Sequence, residues 1–136
     1  MANQMYPLAR QKFADGLLAW TTADWRVSLQ LNTHVYADTD EFFSDVSADS
    51  VDVSPNLASK TNVFGVCDAA DVTLPTVTAA STVGSLIVYQ WTGSAATSPV
   101  VIFYDSKASA EMINFLTDGG DVLIRWSNGP TKMFRL

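Results

Sequence analysis

The fold is decided by Ser85-Leu-Ile-Val-Tyr-Gln-Trp91 and Pro99-Val-Val-Ile-Phe-Tyr-Asp105, which flank the small-residue loop 92–98. Both segments are rich in β-branched and aromatic residues, and the loop contains Gly93, so they predict an antiparallel hairpin. Apolar side chains occupy consecutive positions, whereas a strand with one wet face alternates. We therefore expect two covers for this hairpin. One comes from its own domain, and the other from the N-terminal helix or another protein subunit.

An amphipathic helix is predicted over Pro7–Asp15, before the hairpin. Pro suits the first helical position, and Gly16 suits the residue just past the end. The apolar stripe of this helix consists of Tyr6, Ala9, Phe13 and Leu17. This stripe indicates that the helix packs on a sheet.

The clearest strand pattern covers Asp24–Leu31, where polar and apolar residues alternate. The pattern predicts an inward face formed by Trp25, Val27, Leu29 and Leu31. The outward face would then consist of Arg26, Ser28 and Gln30.

The rest of the chain predicts short elements separated by turns. One helical turn is expected within Asp38–Val46, with Thr39 as its N-cap and Phe42 and Phe43 anchoring it. Segment 49–56 is irregular or a short strand, and 106–120 is a short helix or a covering loop. Strands are expected over Leu57–Thr61, Val63–Cys67 and Val72–Leu74, and a final hairpin joins 121–127 to 132–136 around Asn128-Gly129.

These elements predict a mainly β protein with a short N-terminal helix. The expected architecture is an antiparallel β-sandwich, with a jelly-roll as one form of it. We expect a single domain over residues 1–136, with an N-terminal arm and helix in residues 1–20.

Composition narrows the classes of function. The net charge is −6, and the eight Lys and Arg residues are scattered, so the basic stripe that binds phosphates is missing and nucleic acid is not an expected partner. No apolar run approaches the ~20 residues of a membrane span, and no signal peptide is expected. A single cysteine, Cys67, fits synthesis in a reducing cytoplasm.

The sequence offers little for catalysis. One His and one Cys, His34 and Cys67, would have to meet for a thiol mechanism, and no phosphate-binding or nucleophile-elbow motif occurs. The acidic run 38–52 fails the calcium-loop pattern because Phe43 stands at its sixth position. Asp68 and Asp71 are the nearest candidates for a carboxylate pair that cleaves glycosides, but they flank a predicted turn, where Asp is common for conformational reasons. We expect no enzyme activity, no cofactor and no metal.

Aromatic residues could line a sugar-binding face or a subunit contact. The four Trp and four Tyr residues are the candidates for the sugar-binding face. The predicted protein-interface residues are Met5, Tyr6, Trp20, Phe42, Phe43, Met112 and Phe115.

Several short motifs, taken in their order along the chain, resemble a known group of proteins. They are Met5-Tyr-x-x-Ala-Arg-x-x-Phe13, Asp24-x-x-Val-x-Leu29, Phe42-Phe-Ser-Asp-Val46, Asp68-Ala-Ala-Asp-Val-Thr-Leu-Pro75, Tyr89-Gln-Trp-Thr-Gly93, Ala96-Thr-Ser-Pro99, Gly119-Gly-Asp121, Trp126-Ser-Asn-Gly129 and Phe134-Arg-Leu136. Nearly end to end, the chain resembles small structural proteins of tailed bacteriophages. The region after Val46 and the segment 106–117 depart from that pattern.

The resemblance implies a place in the virion, after synthesis in the host bacterial cytoplasm. It implies a decoration or cement protein that stabilises the assembled capsid, with the major capsid protein and copies of itself as partners. A homo-oligomer is therefore expected. A tail, neck or baseplate component is the alternative, and a carbohydrate-binding module for host adsorption is the rival from another class.

Overall fold

The computed structural model describes residues 3–107, 109 and 111–136. In this part of the chain one α-helix and eleven strands occur. They are β1 (Gln4–Met5), α1 (Pro7–Ala14), β2 (Asp24–Leu31), β3 (Ser50–Val53), β4 (Thr61–Val63), β5 (Val66–Asp68), β6 (Val72–Leu74), β7 (Thr82–Trp91), β8 (Val100–Tyr104), β9 (Phe115–Leu116), β10 (Val122–Ile124) and β11 (Phe134–Arg135). Short 3₁₀ turns occupy Phe43–Asp45, Ser47–Asp49 and Ala95–Thr97.

The strands form three antiparallel sheets. The large sheet has the order β1-β8-β7-β2-β3, and β9 extends it by pairing with the start of β7. Two small sheets have the orders β10-β6 and β11-β5-β4. The prediction of a mainly β, antiparallel fold with a short N-terminal helix is confirmed. The jelly-roll form and the single domain over 1–136 stay predictions.

The hairpin predicted over residues 85–105 is present as β7 and β8, and both of its faces are buried within one chain. The register places Val27, Val88 and Ile102 side by side on one face. Ser28, Ile87 and Phe103 lie side by side on the other face. All six residues are buried.

The two small sheets cover the first face, which we call the small-sheet face. The Trp20 and Trp25 rings lie 4.9 Å apart between centroids, and the Phe134 ring meets Trp20 edge-on at 5.1 Å. The Tyr104 hydroxyl donates a hydrogen bond to the Met133 carbonyl, 2.6 Å away. These contacts seat the β11-β5-β4 sheet on the large sheet, and the Trp126 ring after β10 packs on Tyr104 at 6.0 Å.

The connection between β2 and β3, residues 32–49, covers the second face, and we call it the covering loop. The Tyr36 ring packs on Phe103 at 5.3 Å, and the Phe43 ring stacks on Tyr89 at 4.2 Å. The second cover of the hairpin is therefore mainly this loop, which neither of the two expected covers included. No second subunit is needed to bury either face.

Helix α1 occupies the predicted position and touches both covers. Phe13 lies 6.2 Å from both Trp25 and Phe134 on the small-sheet side. Tyr6, just before the helix, stacks on Tyr36 of the covering loop at 4.9 Å, and the Lys12 ammonium pairs with Glu41 at 2.6 Å. Leu17 was expected in the apolar stripe but is 65% exposed, because the helix ends before it.

The alternation of β2 was predicted correctly on one face only. Trp25, Val27 and Leu29 are fully buried, as expected, whereas Leu31 at the end of the strand is only half-buried. Ser28 and Gln30, expected to face out, are also fully buried because the covering loop lies over them. Oriented to suit its neighbours, the Gln30 amide accepts from the Ser28 hydroxyl and donates to the backbone carbonyls of Val46 and Asp49 at 3.2 and 3.1 Å.

Other expectations about local structure were wrong in detail. The segments 121–127 and 132–136 do not pair with each other, because β10 pairs with β6 and β11 pairs with β5. Thr39 does not cap a turn; the turn starts at Phe43, and the Asp45 carboxylate accepts the backbone N–H groups of Glu41 and Phe42. The strands expected over 57–61 and 63–67 are shifted to 61–63 and 66–68.

The segment 106–120, expected as a short helix or a covering loop, contains the short strand β9, and its residues 108 and 110 lie outside the described residues. Residues 1 and 2 of the predicted N-terminal arm also lie outside them. No helix in the described part of the chain is long and apolar enough to cross a membrane.

The Gln30 amide should fasten the covering loop to the large sheet. Gln30→Leu leaves two loop carbonyls without their donor, so we expect the free energy of unfolding to fall by about 1–3 kcal/mol. Chemical denaturation followed by tryptophan fluorescence measures this loss.

Gln90→Leu on β7 is the matched control. Its amide oxygen is buried and accepts no hydrogen bond from the residues described, so we expect a change below about 0.5 kcal/mol. Equal losses in the two variants would show that the Gln30 contacts do not hold the loop.

Candidate interaction surface

The structure places four of the seven predicted interface residues in the core of the chain itself. These four are Met5, Tyr6, Trp20 and Phe43. The Trp20 indole N–H, for example, donates to the Thr61 carbonyl at 2.9 Å, which ties the segment before β2 to the small sheets. Packing within one chain accounts for the burial of these side chains, although Met5 also lines the groove described below.

The other three predicted interface residues remain at least partly accessible. Phe42 is half-buried beneath the Lys12 ammonium, which lies 5.1 Å from its ring centroid. Phe115 is half-buried in β9, and Met112 is 55% exposed. Phe42 belongs to the covering loop, whereas Met112 and Phe115 lie close together in sequence, before and within β9.

The lone cysteine and the lone histidine lie on opposite sides of the large sheet. Cys67 is buried in β5, which belongs to the small-sheet cover. His34 belongs to the covering loop, where its ring lies 6.2 Å from Phe103. A thiol–imidazole pair is therefore not formed.

His34 instead makes a contact within the covering loop. Its Nδ1 atom lies 2.9 Å from the Asp49 carboxylate, and its side chain faces a cavity of about 250 Å³ that Ser85 also lines. Ser85 is only 3% exposed, so its hydroxyl is not presented to a substrate. The His34–Asp49 pair joins the two ends of the covering loop.

The acidic run is spread over the covering loop and β3 rather than gathered around a cation. Asp45 accepts backbone N–H groups, and Asp49 contacts His34. In the part of the chain that the structure describes, no group of three or more His, Cys, Asp or Glu side chains could hold a metal ion. Asp71 accepts the backbone N–H of Trp126 at 2.9 Å, which is a role in local structure.

The most unusual surface feature is the tip of the β4–β5 hairpin. Val63 pairs with Val66, so the turn contains only Phe64 and Gly65, both with positive φ (+52° and +81°). This is the geometry of a type I′ turn, which favours Asn, Asp and Gly. An aromatic residue in the left-handed region costs about 1–2 kcal/mol, and Phe64 is also 100% exposed.

The tip is held firmly despite its exposure. The Gly65 backbone N–H donates to the Asn62 side chain at 3.0 Å, and the Leu136 backbone N–H donates to the Gly65 carbonyl at 2.9 Å. Val63 and Leu136 beside it are also exposed. Together Val63, Phe64 and Leu136 form an exposed apolar surface, which we call the hairpin tip.

A groove of about 620 Å³ lies next to the hairpin tip. Apolar side chains from α1, β1, β8 and β11 line most of it, and Arg10 and Arg135 add two guanidinium groups. The residues of the apolar lining include Met5, Phe13, Ile102, Tyr104, Met133 and Phe134. Leu136 belongs both to the groove and to the hairpin tip.

The sequence contained a signal for the tip that the strand predictions missed. Phe64-Gly65 stands between two valines, and an X-Gly pair between β-branched residues is typical of a two-residue hairpin. The prediction of one strand over Val63–Cys67 ran through that turn and hid it.

Compared with known proteins, the chain matches no family model, no curated protein and no solved structure.

Replacing Phe64 with the residue that the turn favours should stabilise the fold. Phe64→Asn removes the strain of the left-handed conformation, so we expect a gain of about 1 kcal/mol in the free energy of unfolding. Phe64→Leu keeps the strain and serves as the control, with no gain expected. Equal stability of the two variants in chemical denaturation would contradict the role of the turn.

Burial should make Cys67 unreactive in the folded chain. Loss of solvation raises the pKa of its thiol from 9.0 to about 11, so at pH 8 the thiolate fraction falls about 100-fold. We expect slow labelling by a thiol reagent in buffer and fast labelling in denaturant. The raised pKa also makes stability depend on pH. Burial of the neutral thiol contributes fully to the free energy of unfolding below pH 9, and this contribution is lost as the pH rises from 9 to 11.

Labelling that is equally fast with and without denaturant would contradict the burial of Cys67. Measuring the rate at several pH values between 7 and 10 separates the thiolate effect from simple steric protection.

Proposed function

We propose that the chain is a structural protein of a tailed-phage virion, a decoration protein that binds the assembled capsid shell and stabilises it. The shell partner is the major capsid protein. A ligand that binds only the assembled state stabilises that state by mass action. The assignment to the capsid rests on the sequence resemblance, and the class of function rests on the surface of the molecule.

The observation that carries the class of function is the exposed Phe64. The chain keeps a bulky aromatic side chain in water, on a turn whose conformation it fits poorly. Strain and exposure both reduce stability or solubility, so their combination favours a role in binding. A buried aromatic anchor at the centre of an interface is typical of protein–protein contacts.

The surroundings of the tip suit a permanent assembly. The β4–β5 ladder and the Leu136 hydrogen bond hold the tip before binding, so little conformational entropy is lost when a partner docks. The net charge of −6 would keep free copies soluble until they reach the shell.

A tail, neck or baseplate component remains the structural alternative. The two differ in copy number, because a decoration protein repeats over the whole shell and a tail component repeats only around one axis. Quantitative mass spectrometry of purified virions distinguishes them.

The carbohydrate-binding rival needs an accessible aromatic platform. Phe43 stacks on Tyr89, and the Arg26 guanidinium lies 5.3 Å from the Trp91 ring centroid, so two of the candidate rings are covered by the chain itself. Trp20, Trp25 and Trp126 are buried. This arrangement favours a protein partner over a glycan.

We expect capsids assembled without this chain to release their genome at a lower temperature than complete capsids. Adding the purified chain back should restore heat resistance, because the chain buries additional surface across junctions between capsid subunits. The measurement is thermal release of DNA from filled heads, followed with a dye.

Two variants test whether the add-back depends on Phe64 in particular. Leu123→Thr removes an exposed apolar side chain of β10 and should still restore resistance, whereas Phe64→Asn should not. Unchanged resistance without the chain, together with no missing density on the shell, would overturn the proposed function. Binding to host glycans instead would support the carbohydrate-binding rival.

A further inference from the structure

We propose that two copies of this chain form a symmetric dimer in which the Phe64 ring of each copy fills the apolar groove of the other. This proposal goes beyond capsid binding, since it assigns Phe64 to the contact between copies, and the failure of Phe64→Asn to protect capsids would then follow from loss of the dimer. It depends on three observations: an exposed aromatic side chain, a groove suited to receive it, and their positions side by side.

The chemistry of the groove suits an aromatic ring. Its apolar lining from α1, β1, β8 and β11 includes the rings of Phe13 and Phe134, which offer edge or face contacts to a third ring. Arg10 and Arg135 place two cations at the same groove, and a guanidinium attracts the negative face of an aromatic ring. Phe64 brings no charge of its own that these cations would repel.

The positions of the tip and the groove suit two-fold symmetry. Arg135 pairs with Val66, and the Leu136 N–H donates to Gly65, so the strand that lines the groove is hydrogen-bonded to the strand that carries the tip. In a two-fold dimer the same patch serves both partners, so each contact occurs twice. A neighbouring projection and groove meet this condition, because the rotation that inserts one Phe64 inserts the other.

A dimer also accounts for the conformation of Phe64. The Phe64 ring is fully exposed in the single copy and is not part of the groove lining of its own chain. The two-residue turn holds the ring at the end of a paired ladder, where a second molecule can receive it.

The test measures the association of the purified full chain by analytical ultracentrifugation over a wide concentration range. We expect a dimer whose dissociation constant rises about tenfold or more in Phe64→Asn. The same variant should keep a stable fold, because Asn suits the turn, so weaker association cannot be attributed to unfolding.

A second variant changes the groove instead of the tip. Ala14 is exposed at the end of α1 and lines the groove, and Ala14→Glu would place a carboxylate beside Arg10 and against the incoming ring. It should weaken the dimer as strongly as Phe64→Asn. Leu123→Thr, which changes an exposed leucine outside the groove, should leave the dissociation constant unchanged.

Cross-linking then tests the arrangement directly. Phe64→Cys and Ala14→Cys chains are mixed and oxidised, and a disulfide between one chain of each kind is expected to exceed the homodimer of either. Cys67 is buried and serves as the unreactive background in wild type.

A monomer at every concentration, or a dimer that Phe64→Asn leaves intact, would overturn the proposal. So would a dimer that depends on Phe64 but not on Ala14. The capsid assignment fails separately, when the heat resistance of the shell does not depend on the chain. A monomeric chain that still protects capsids would remove the dimer and leave the proposed function.

Discussion

Every other part of the structure depends on one constraint, the burial of both faces of β7 and β8. Val88 and Ile102 face one side, and Ile87 and Phe103 face the other. Each face exposes apolar area that costs about 25 cal/mol per Å² in contact with water. The chain must therefore place a layer on each side of this hairpin, and its remaining segments are arranged to supply those two layers.

The two layers that cover the hairpin are built in different ways, but both belong to the same chain. Small sheets cover one face with packed rings, whereas the covering loop crosses the other face and is fastened by Gln30 through backbone carbonyls. Since both covers belong to the same chain, apolar strands are no evidence for a subunit contact here. The proposed assembly depends instead on the small exposed surface at Phe64.

The sequence predicted the parts of the fold that local pattern controls. Helix α1, strand β2 and the β7–β8 hairpin occur where alternation, Pro7 and the Gly93 loop placed them. It did not predict the burial of Ser28 and Gln30. Alternation assigns polar residues to solvent, but here the Gln30 amide binds backbone carbonyls of the covering loop. The prediction of a final hairpin was wrong because it rested on the local turn signal Asn128-Gly129. β10 and β11 pair instead with β6 and β5, which are distant in sequence. Among the candidate interface residues, Trp20 is buried in the core. Large aromatic residues are common both in cores and in interfaces, so residue type alone does not distinguish the two.

The order of strands in the large sheet has a consequence for biosynthesis. Because β1 pairs with β8, Gln4 can pair with Phe103 only after β8 has been synthesised. The Phe134 ring, which packs on Trp20, is synthesised later still. Contacts between residues so distant in sequence slow folding, because the chain must close long loops before apolar burial compensates for the lost entropy. On the ribosome, the central hairpin emerges while β10 and β11 of the small-sheet cover are still unsynthesised. Until these strands are made, the small-sheet face is only partly covered, and exposed apolar surface of this kind promotes aggregation.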